Sequence, residues 1–251
     1  MSDFIAAADR ALLQRHGLDA FEALWALQLT AVDAPNTGRG GWSSVFRLEL
    51  DEASYYLKRQ SDYLTRSWRR PLGEPTFARE MRTIQRYQQL GIPALQAAFF
   101  AERRVEGQRR AILLTRALDA WQDLDSLLEG WATLPAPRRQ AILRACGELA
   151  RTLHGAGQVH GCFYHKHIFL RERGAGFEAC LIDLEKTRPL LFGARDRIRD
   201  LETLLRRAEV WGEAEVRQLL GVYLASPGED GAIDRWWQRL GARRQYKEAR
   251  R

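Results

Sequence analysis

From Trp42 to Leu50 the chain reads WSSVFRLEL, with apolar and polar residues alternating, and after the turn-like Asp51-Glu52-Ala53 an aromatic-rich run, SYYLKR, occupies Ser54 to Arg59. A period of two belongs to a half-buried strand, so the two runs predict a β-hairpin. From Thr76 to Leu90 the period changes, and Phe77, Met81, Ile84, Tyr87 and Leu90 recur at intervals of three or four. That spacing predicts an amphipathic helix with Thr76 as N-cap after Pro75 and Gly91 closing its end. The apolar runs Ala97 to Glu102 and Arg110 to Arg116 flank a turn at Glu106-Gly107 and predict a second hairpin.

After Arg116 helical spacing dominates. Asp123 to Glu129 predicts a short helix, and Pro137 to Leu153 a long one with Ile142, Leu143, Cys146, Leu149, Ala150 and Leu153 on one face. Pro137 falls in the first turn, where its missing N–H is tolerated. A polar-aromatic loop, His160 to His167, leads into Ile168-Phe169-Leu170, a Gly-rich turn at Gly174 to Gly176, and the strand FEACLID ending on Asp183. From Asp196 onward the pattern is mostly helical. The expected class is α+β: a small antiparallel sheet with one helix in residues 1–116, and a mostly helical part in residues 117–251.

The composition changes this picture little. A chain of 251 residues, 45% hydrophobic, buries a substantial core and is not disordered. The three cysteines, Cys146, Cys162 and Cys180, form no CxxC pair, which leaves a disulfide framework and zinc chemistry without support and fits a reducing compartment. The opening MSDFIAAADRALLQRHG lacks a basic-then-apolar leader, and the most apolar stretch, Phe21 to Val32, is broken by Glu22 and Gln28. It falls short of the ~20 residues of a spanning helix, so a cytoplasmic protein is expected. The net charge of +7 asks for an anionic partner: nucleic acid, phospholipid headgroup, nucleotide or acidic glycan.

Four local features carry candidate chemistry. Thr37 to Ser44 (TGRGGWSS) is a Gly-rich turn before a strand, either a simple hairpin turn or a place where backbone N–H groups approach a phosphate. Lys58 is a cation inside an apolar strand, pointing to solvent or to an internal anion such as Glu80 on the following helix. The loop HGCFYHKHIFL holds three histidines, of which His165 and His167 have a spacing unsuited to a helical zinc pair. Asp183 ends an apolar strand, a position that caps turns and also suits magnesium.

In sequence order these features resemble the catalytic domain of the protein-kinase-like superfamily, from about Gly38 to Arg207. Within it the chain is most similar to the bacterial lipopolysaccharide core kinases, which phosphorylate heptose or Kdo sugars. The match is carried by Leu57-Lys58-Arg59, Phe77-Ala78-Arg79-Glu80, His160 to Leu170, Ile182 to Arg188 (IDLEKTR), and Arg199-Asp200-Leu201, the last similar to an element that anchors the catalytic loop. The resemblance implies a two-lobed fold and transfer of phosphate from ATP, with Mg2+ or Mn2+, to a sugar hydroxyl of the lipopolysaccharide inner core. Lys58, paired with Glu80, would bind the α- and β-phosphates under a cover of Gly38, Gly40, Gly41, Ser43 and Ser44. Thr115 and its neighbours in the connector Leu114 to Ala117 would receive adenine, and His167 and Asp183 would hold the metal.

The sequence departs from the pattern at its catalytic position. Where such a kinase carries an Asp, this chain has Cys162, and His167 stands in the Asn position. A neutral thiol supplies neither charge nor geometry of a carboxylate base. The candidate catalytic set is therefore Cys162, His165 and Asp183, with His165 or His160 as a substitute base; the alternative is a nucleotide-binding pseudokinase with a regulatory role in envelope or stress physiology. Asp183-Leu184-Glu185 lacks the glycine of a mobile activation segment.

The acceptor is expected to meet Thr65-Arg66-Ser67-Trp68-Arg69-Arg70 and the basic C-terminal residues Arg235-Trp236-Trp237-Gln238-Arg239, Arg243, Arg244, Lys247, Arg250 and Arg251. Such segments suit a phosphate-bearing glycolipid at the inner-membrane surface, with the protein peripheral on its cytoplasmic face. They argue against cationic acceptors such as aminoglycosides, and no groove or stacking motif supports nucleic acid as partner.

Overall fold

The computed structural model describes residues 3–38, 40–51, 53–67, 70–225 and 230–248. Arg39 of the Gly-rich run, Trp68 and Arg69 of the basic segment, and Arg250 and Arg251 lie outside the described residues. The chain divides into two compact units, Met1–Arg86 with Leu95–Asp119, and Tyr87–Ala94 with Ala120–Arg251.

The first unit opens with β1 (Phe4–Ile5), α1 (Ala7–Arg15) and α2 (Phe21–Ala26), followed by β2 (Trp42–Leu50) and β3 (Ala53–Ser61). The hairpin β4 (Leu64–Ser67) and β5 (Arg70–Pro75), the helix α3 (Thr76–Leu90), β6 (Ala97–Val105) and β7 (Gln108–Arg116) complete it, although the last turn of α3 belongs to the second unit. Five strands form one antiparallel sheet in the order β1-β6-β7-β3-β2. On one sheet face Leu48, Tyr55, Leu57, Phe99, Ile112 and Leu114 pack against Leu12, Leu13, Phe21 and Leu24 from α1 and α2. These two helices were not foreshadowed by the alternating pattern of the strands. Because side chains alternate along a strand, Lys58 lies on the face opposite Leu57.

The N-terminus of α3 is satisfied from outside the helix. Gln60, fully buried, accepts hydrogen bonds through Oε1 from Phe77 N at 3.0 Å and from the Thr76 hydroxyl at 2.7 Å. The expected capping residue thus works through a glutamine on β3, which ties helix to sheet two residues from Lys58.

In the second unit β8 (Gln122–Asp123) precedes α4 (Leu124–Glu129), whose N-cap Asp123 accepts from Ser126 N at 2.9 Å. Next come α5 (Ala136–Gly155), β9 (Gln158–Val159), β10 (Ile168–Arg173), β11 (Gly176–Leu181) and β12 (Arg188–Pro189). The helices α6 (Ala194–Leu205), α7 (Glu213–Leu224) and α8 (Asp230–Glu248) follow. The expected apolar face of α5, Ile142, Leu143, Cys146, Leu149, Ala150 and Leu153, is buried, and α5 packs on α7. All three cysteines are free and buried. No helix among the described residues is long and apolar enough to cross a membrane. The fold is the α+β type expected, an antiparallel sheet unit followed by a mostly helical one.

Candidate active site

In the first unit Lys58 and Glu80 form a close pair, Nζ to Oε1 at 2.6 Å. Glu80 is buried, so its charge is compensated by this ammonium group rather than by water. Lys58 stands on β3 between Val45 and Leu113, and its position is set by the strand register. The helix cap at Gln60 fixes the start of α3, one turn before Glu80.

The Gly-rich run is more committed to the sheet than its composition suggests. Gly41 donates to Gly38 O at 3.3 Å, and Ser43 exchanges backbone hydrogen bonds with Asn36 at 2.9 Å. A Cβ on Gly41 would stand 2.2 Å from Ser61 O, so this glycine is required by close backbone approach. Gly40 has φ +80, as a tight turn needs. Ser43 and Ser44 are buried, and the Ser44 hydroxyl has no hydrogen-bond partner among the described residues. Thr115 is buried on β7 between Tyr56 and Ala97. At the connector, Arg116 N donates to Gln96 O at 3.0 Å and Ala117 N to Ser54 O at 2.9 Å, so both amides are taken within the unit.

In the second unit the hairpin of β10 and β11 gathers the other candidates. Its register pairs Ile168 with Leu181, and Ile182 N donates to His167 O at 3.0 Å, extending the ladder past both strands. His167 and Asp183 thereby become diagonal neighbours, with Nε2 and Oδ2 at 3.3 Å. His167 Nδ1 donates to Cys162 O at 2.9 Å, which leaves Nε2 as the acceptor nitrogen of the neutral ring. Desolvation lowers the His167 pKa and favours that neutral form. A ring lone pair and a carboxylate facing each other suit a cation between them, so these two residues fit a divalent ion. Asp183 itself has φ 56 and ψ 63, a left-handed conformation that a residue with a side chain adopts at a cost and that is common at working sites.

The loop carrying Cys162 is anchored from α6. Asp200, buried, accepts from His160 N at 2.6 Å through Oδ2 and from Gly161 N at 3.0 Å through Oδ1. His154 Nε2 lies 3.4 Å from the same carboxylate and its Nδ1 3.0 Å from the Tyr223 hydroxyl, which extends the anchor to α5 and α7. Asp200 of the Arg199-Asp200-Leu201 run therefore anchors the loop at His160 and Gly161 from a buried position.

The three loop histidines have different surroundings. His160 is fully buried, donates from Nε2 to Ile182 O at 2.9 Å and accepts at Nδ1 from Cys162 N at 3.3 Å. Both ring nitrogens are used, so His160 has no free site for a proton from substrate. His165 Nδ1 lies 2.9 Å from Asp125 Oδ1, out of line for a hydrogen bond. Burial lowers the His165 pKa and keeps the ring neutral. His167 faces Asp183.

Cys162 is buried, and desolvation raises its thiol pKa, so at neutral pH it is the uncharged thiol. Its side chain meets the ammonium of Lys186. Sequence reasoning missed Lys186, although its signal was present three residues after Asp183. The position that carries an acid in the kinase pattern is thus filled by a neutral thiol beside a cation.

Of the basic segments, Arg66 and Arg70 are exposed on the hairpin of β4 and β5. Trp236 and Trp237 are half-buried on α8, and Trp236 packs edge-on against Tyr223 at 5.3 Å between ring centroids. Arg243 lies 3.7 Å from Glu202, while Arg235 and Arg239 are exposed; Arg244 and Lys247 fall within α8.

Comparison with known proteins gives three findings. A model of the lipopolysaccharide kinase (Kdo/WaaP) family matches residues 22–223. Protein InaA of Escherichia coli (strain K12) is 30% identical over 209 residues, 82% of this chain and 96% of InaA. A solved structure of WaaP in complex with acyl carrier protein is similar in fold, with a TM-score of 0.68 and 22% identity, over 96% of this chain and 99% of that one.

Proposed function

The chain belongs to the lipopolysaccharide kinase (Kdo/WaaP) family, and from that membership we propose that it transfers the γ-phosphoryl group of ATP to a heptose or Kdo hydroxyl of the lipopolysaccharide inner core. The observation that carries this reading is the pair of Lys58 and Glu80 at 2.6 Å, a positioned cation held by a buried acid. Phosphoryl transfer passes through a loose transition state, so positioning and electrostatics do most of the work.

In this reading Lys58 binds the α- and β-phosphates and Glu80 keeps its ammonium in place. The Gly-rich run covers the phosphates with whatever amides its turn leaves free, and Thr115 lines the adenine side. His167 and Asp183 would hold a divalent ion, which would supply positive charge to the nucleotide phosphates. Asp200 holds the loop of His160 and Gly161 in place. His165 takes the role of base for the acceptor hydroxyl, its Nδ1 side turned to Asp125, and Lys186 offers a positive charge beside Cys162. The acceptor is a membrane glycolipid, which gives the protein a peripheral place on the cytoplasmic face of the inner membrane.

One observation favours the pseudokinase as a second reading: Cys162 is a neutral thiol and His160 has both nitrogens occupied. The test is transfer of labelled γ-phosphate from ATP to purified, phosphate-deficient lipopolysaccharide core, with Mg2+ or Mn2+ and with Asp183→Ala as blank. Because the similar WaaP is seen with acyl carrier protein, that protein is added in one arm. Label that depends on Asp183 supports the kinase; ATP binding without transfer in every arm supports the pseudokinase.

A further inference from the structure

Among the described residues the large apolar side chains most exposed to water are Val32, Leu72, Leu90, Leu191, Phe192 and Val210. Scattered single residues of this kind are ordinary surface. Leu191 and Phe192 differ because they are adjacent, 68% and 63% exposed, at the apex of the segment between β12 and α6.

This apex is built rather than loose. The amides of Leu191 and Phe192 both donate to Oδ2 of Asp196, at 3.0 and 3.1 Å. Asp196 is buried and is held by Arg188 through two hydrogen bonds, Nη1 to Oδ2 at 2.9 Å and Nη2 to Oδ1 at 2.7 Å. Before the apex Leu190 N donates to Gly157 O at 2.8 Å, and after it Gly193 turns the chain with φ +51, a conformation that excludes most side chains. The backbone polar groups are tied inward and two large apolar side chains face outward. Such a fixed exposure is unfavourable in water and returns nothing to the fold's own core.

The flanking charge is of one sign. Arg195 and Arg199 are exposed one helical turn apart on α6, and neither forms an ion pair among the described residues. The acid between them, Asp196, is buried and already neutralised by Arg188. An apolar tip with basic residues beside it is complementary to an anionic bilayer, whose phosphates meet the arginines while the tip enters the boundary of headgroups and acyl chains.

We propose that Leu191 and Phe192 form a membrane-docking wedge that seats the helical unit on an anionic phospholipid surface, with Arg195 and Arg199 on the headgroup phosphates. The purpose of the wedge rests on the reading that the acceptor is a membrane glycolipid, but its binding chemistry does not. A bilayer is favoured over a protein partner because the apolar area is limited to two adjacent side chains and is flanked by unpaired cations.

The test is co-sedimentation of the full chain with vesicles of phosphatidylcholine alone or mixed with phosphatidylglycerol. The wild type is expected to bind the anionic vesicles, and raised salt to weaken that binding. Leu191→Ser with Phe192→Ser is expected to lower the partition coefficient by about tenfold or more. Arg195→Glu with Arg199→Glu is expected to abolish the preference for anionic vesicles. Unchanged thermal melting shows that each exposed double variant is folded. Wild type and Leu191→Ser/Phe192→Ser sedimenting equally, or a wild type that ignores both vesicle types, overturns the wedge. So does a double serine variant that loses a protein partner while keeping its vesicle binding. Vesicle binding without phosphate transfer in solution leaves the wedge standing and removes the kinase; transfer to detergent-dispersed core without vesicle binding does the reverse.

Discussion

Nε2 of His167 lies 3.3 Å from Oδ2 of Asp183, and the hydrogen bond from Nδ1 to the Cys162 carbonyl at 2.9 Å makes it a lone pair that faces the carboxylate. Two acceptors at that distance repel unless a cation lies between them. An imidazole nitrogen suits Mn2+ better than Mg2+, which prefers oxygen. The wild type is expected to bind Mn2+ roughly tenfold more tightly than Mg2+, measured by Mn2+ electron paramagnetic resonance with Mg2+ as competitor. His167→Asn narrows the difference, and Asp183→Ala weakens both ions. An unchanged Mn2+ affinity in His167→Asn removes this histidine from the metal site.

Cys162 and His165 make opposite demands on pH. Burial raises the thiol pKa and lowers that of the imidazole. If the thiolate is the base, transfer rises with pH through the alkaline range above about 8.5, and Cys162→Ser flattens the curve. If His165 is the base, the rise has its midpoint below about pH 6.5 and His165→Gln removes it. The second profile is expected, because His165 is neutral and Cys162 protonated near pH 7. Cys162→Asp, placing a carboxylate beside Lys186, is expected to raise turnover by about a hundredfold. No gain would show that the loop is not geometrically competent for a base at 162.

The Lys58 and Glu80 pair separates binding from stability. Lys58→Met leaves a buried carboxylate without its cation, expected to cost about 3 kcal/mol in urea unfolding and to abolish nucleotide binding. Adding Glu80→Leu restores most of the stability, since a paired charge and an apolar pair are often equivalent inside a protein, but not the binding. Nucleotide affinity that survives Lys58→Met, read with a fluorescent ATP analogue, overturns the assigned role of Lys58.

How far these features were legible follows from their range. The strands Trp42 to Leu50 and Ala97 to Glu102, the helix Thr76 to Leu90 and the buried face of α5 are set by local periodicity, and the structure has them there. Lys58 and Glu80 were readable as partners because an apolar strand and an apolar helix face each leave one charge unexplained. What escaped depends on contacts distant in sequence. Gln60 caps a helix that begins sixteen residues later, which no adjacent pattern announces. The helices α1 and α2 carry a weak periodicity of their own and are fixed by packing on Tyr55, Leu57 and Phe99. Lys186 stands within the motif that was read, but its approach to Cys162 depends on where the hairpin of β10 and β11 sets Asp183 against the loop. The Gly-rich run illustrates the reverse case: its composition suggests open amides, whereas Gly41 and Ser43 spend theirs inside the sheet unit.

Asp196 gives a stability that depends on pH with a fixed sign. Its carboxyl is held well below the usual carboxylate range, first by the hydrogen bonds from Arg188 and then by the amides of Phe192 and Leu191. A lowered pKa in the folded state means that folding favours the charged form. The contribution is fully present above about pH 4, the unfolded value, and is lost as pH falls through the folded value. Asp196→Asn keeps the shape but removes the charge, and is expected to cost about 2 kcal/mol at pH 7. The gap to wild type should shrink steadily below about pH 4, as the carboxyl of the unfolded wild type takes up its proton, in urea unfolding curves at pH 7, 4 and lower. A gap that stays constant across that range would mean the loss comes from altered hydrogen bonding to the amides of Leu191 and Phe192, not from the charge that Arg188 neutralises.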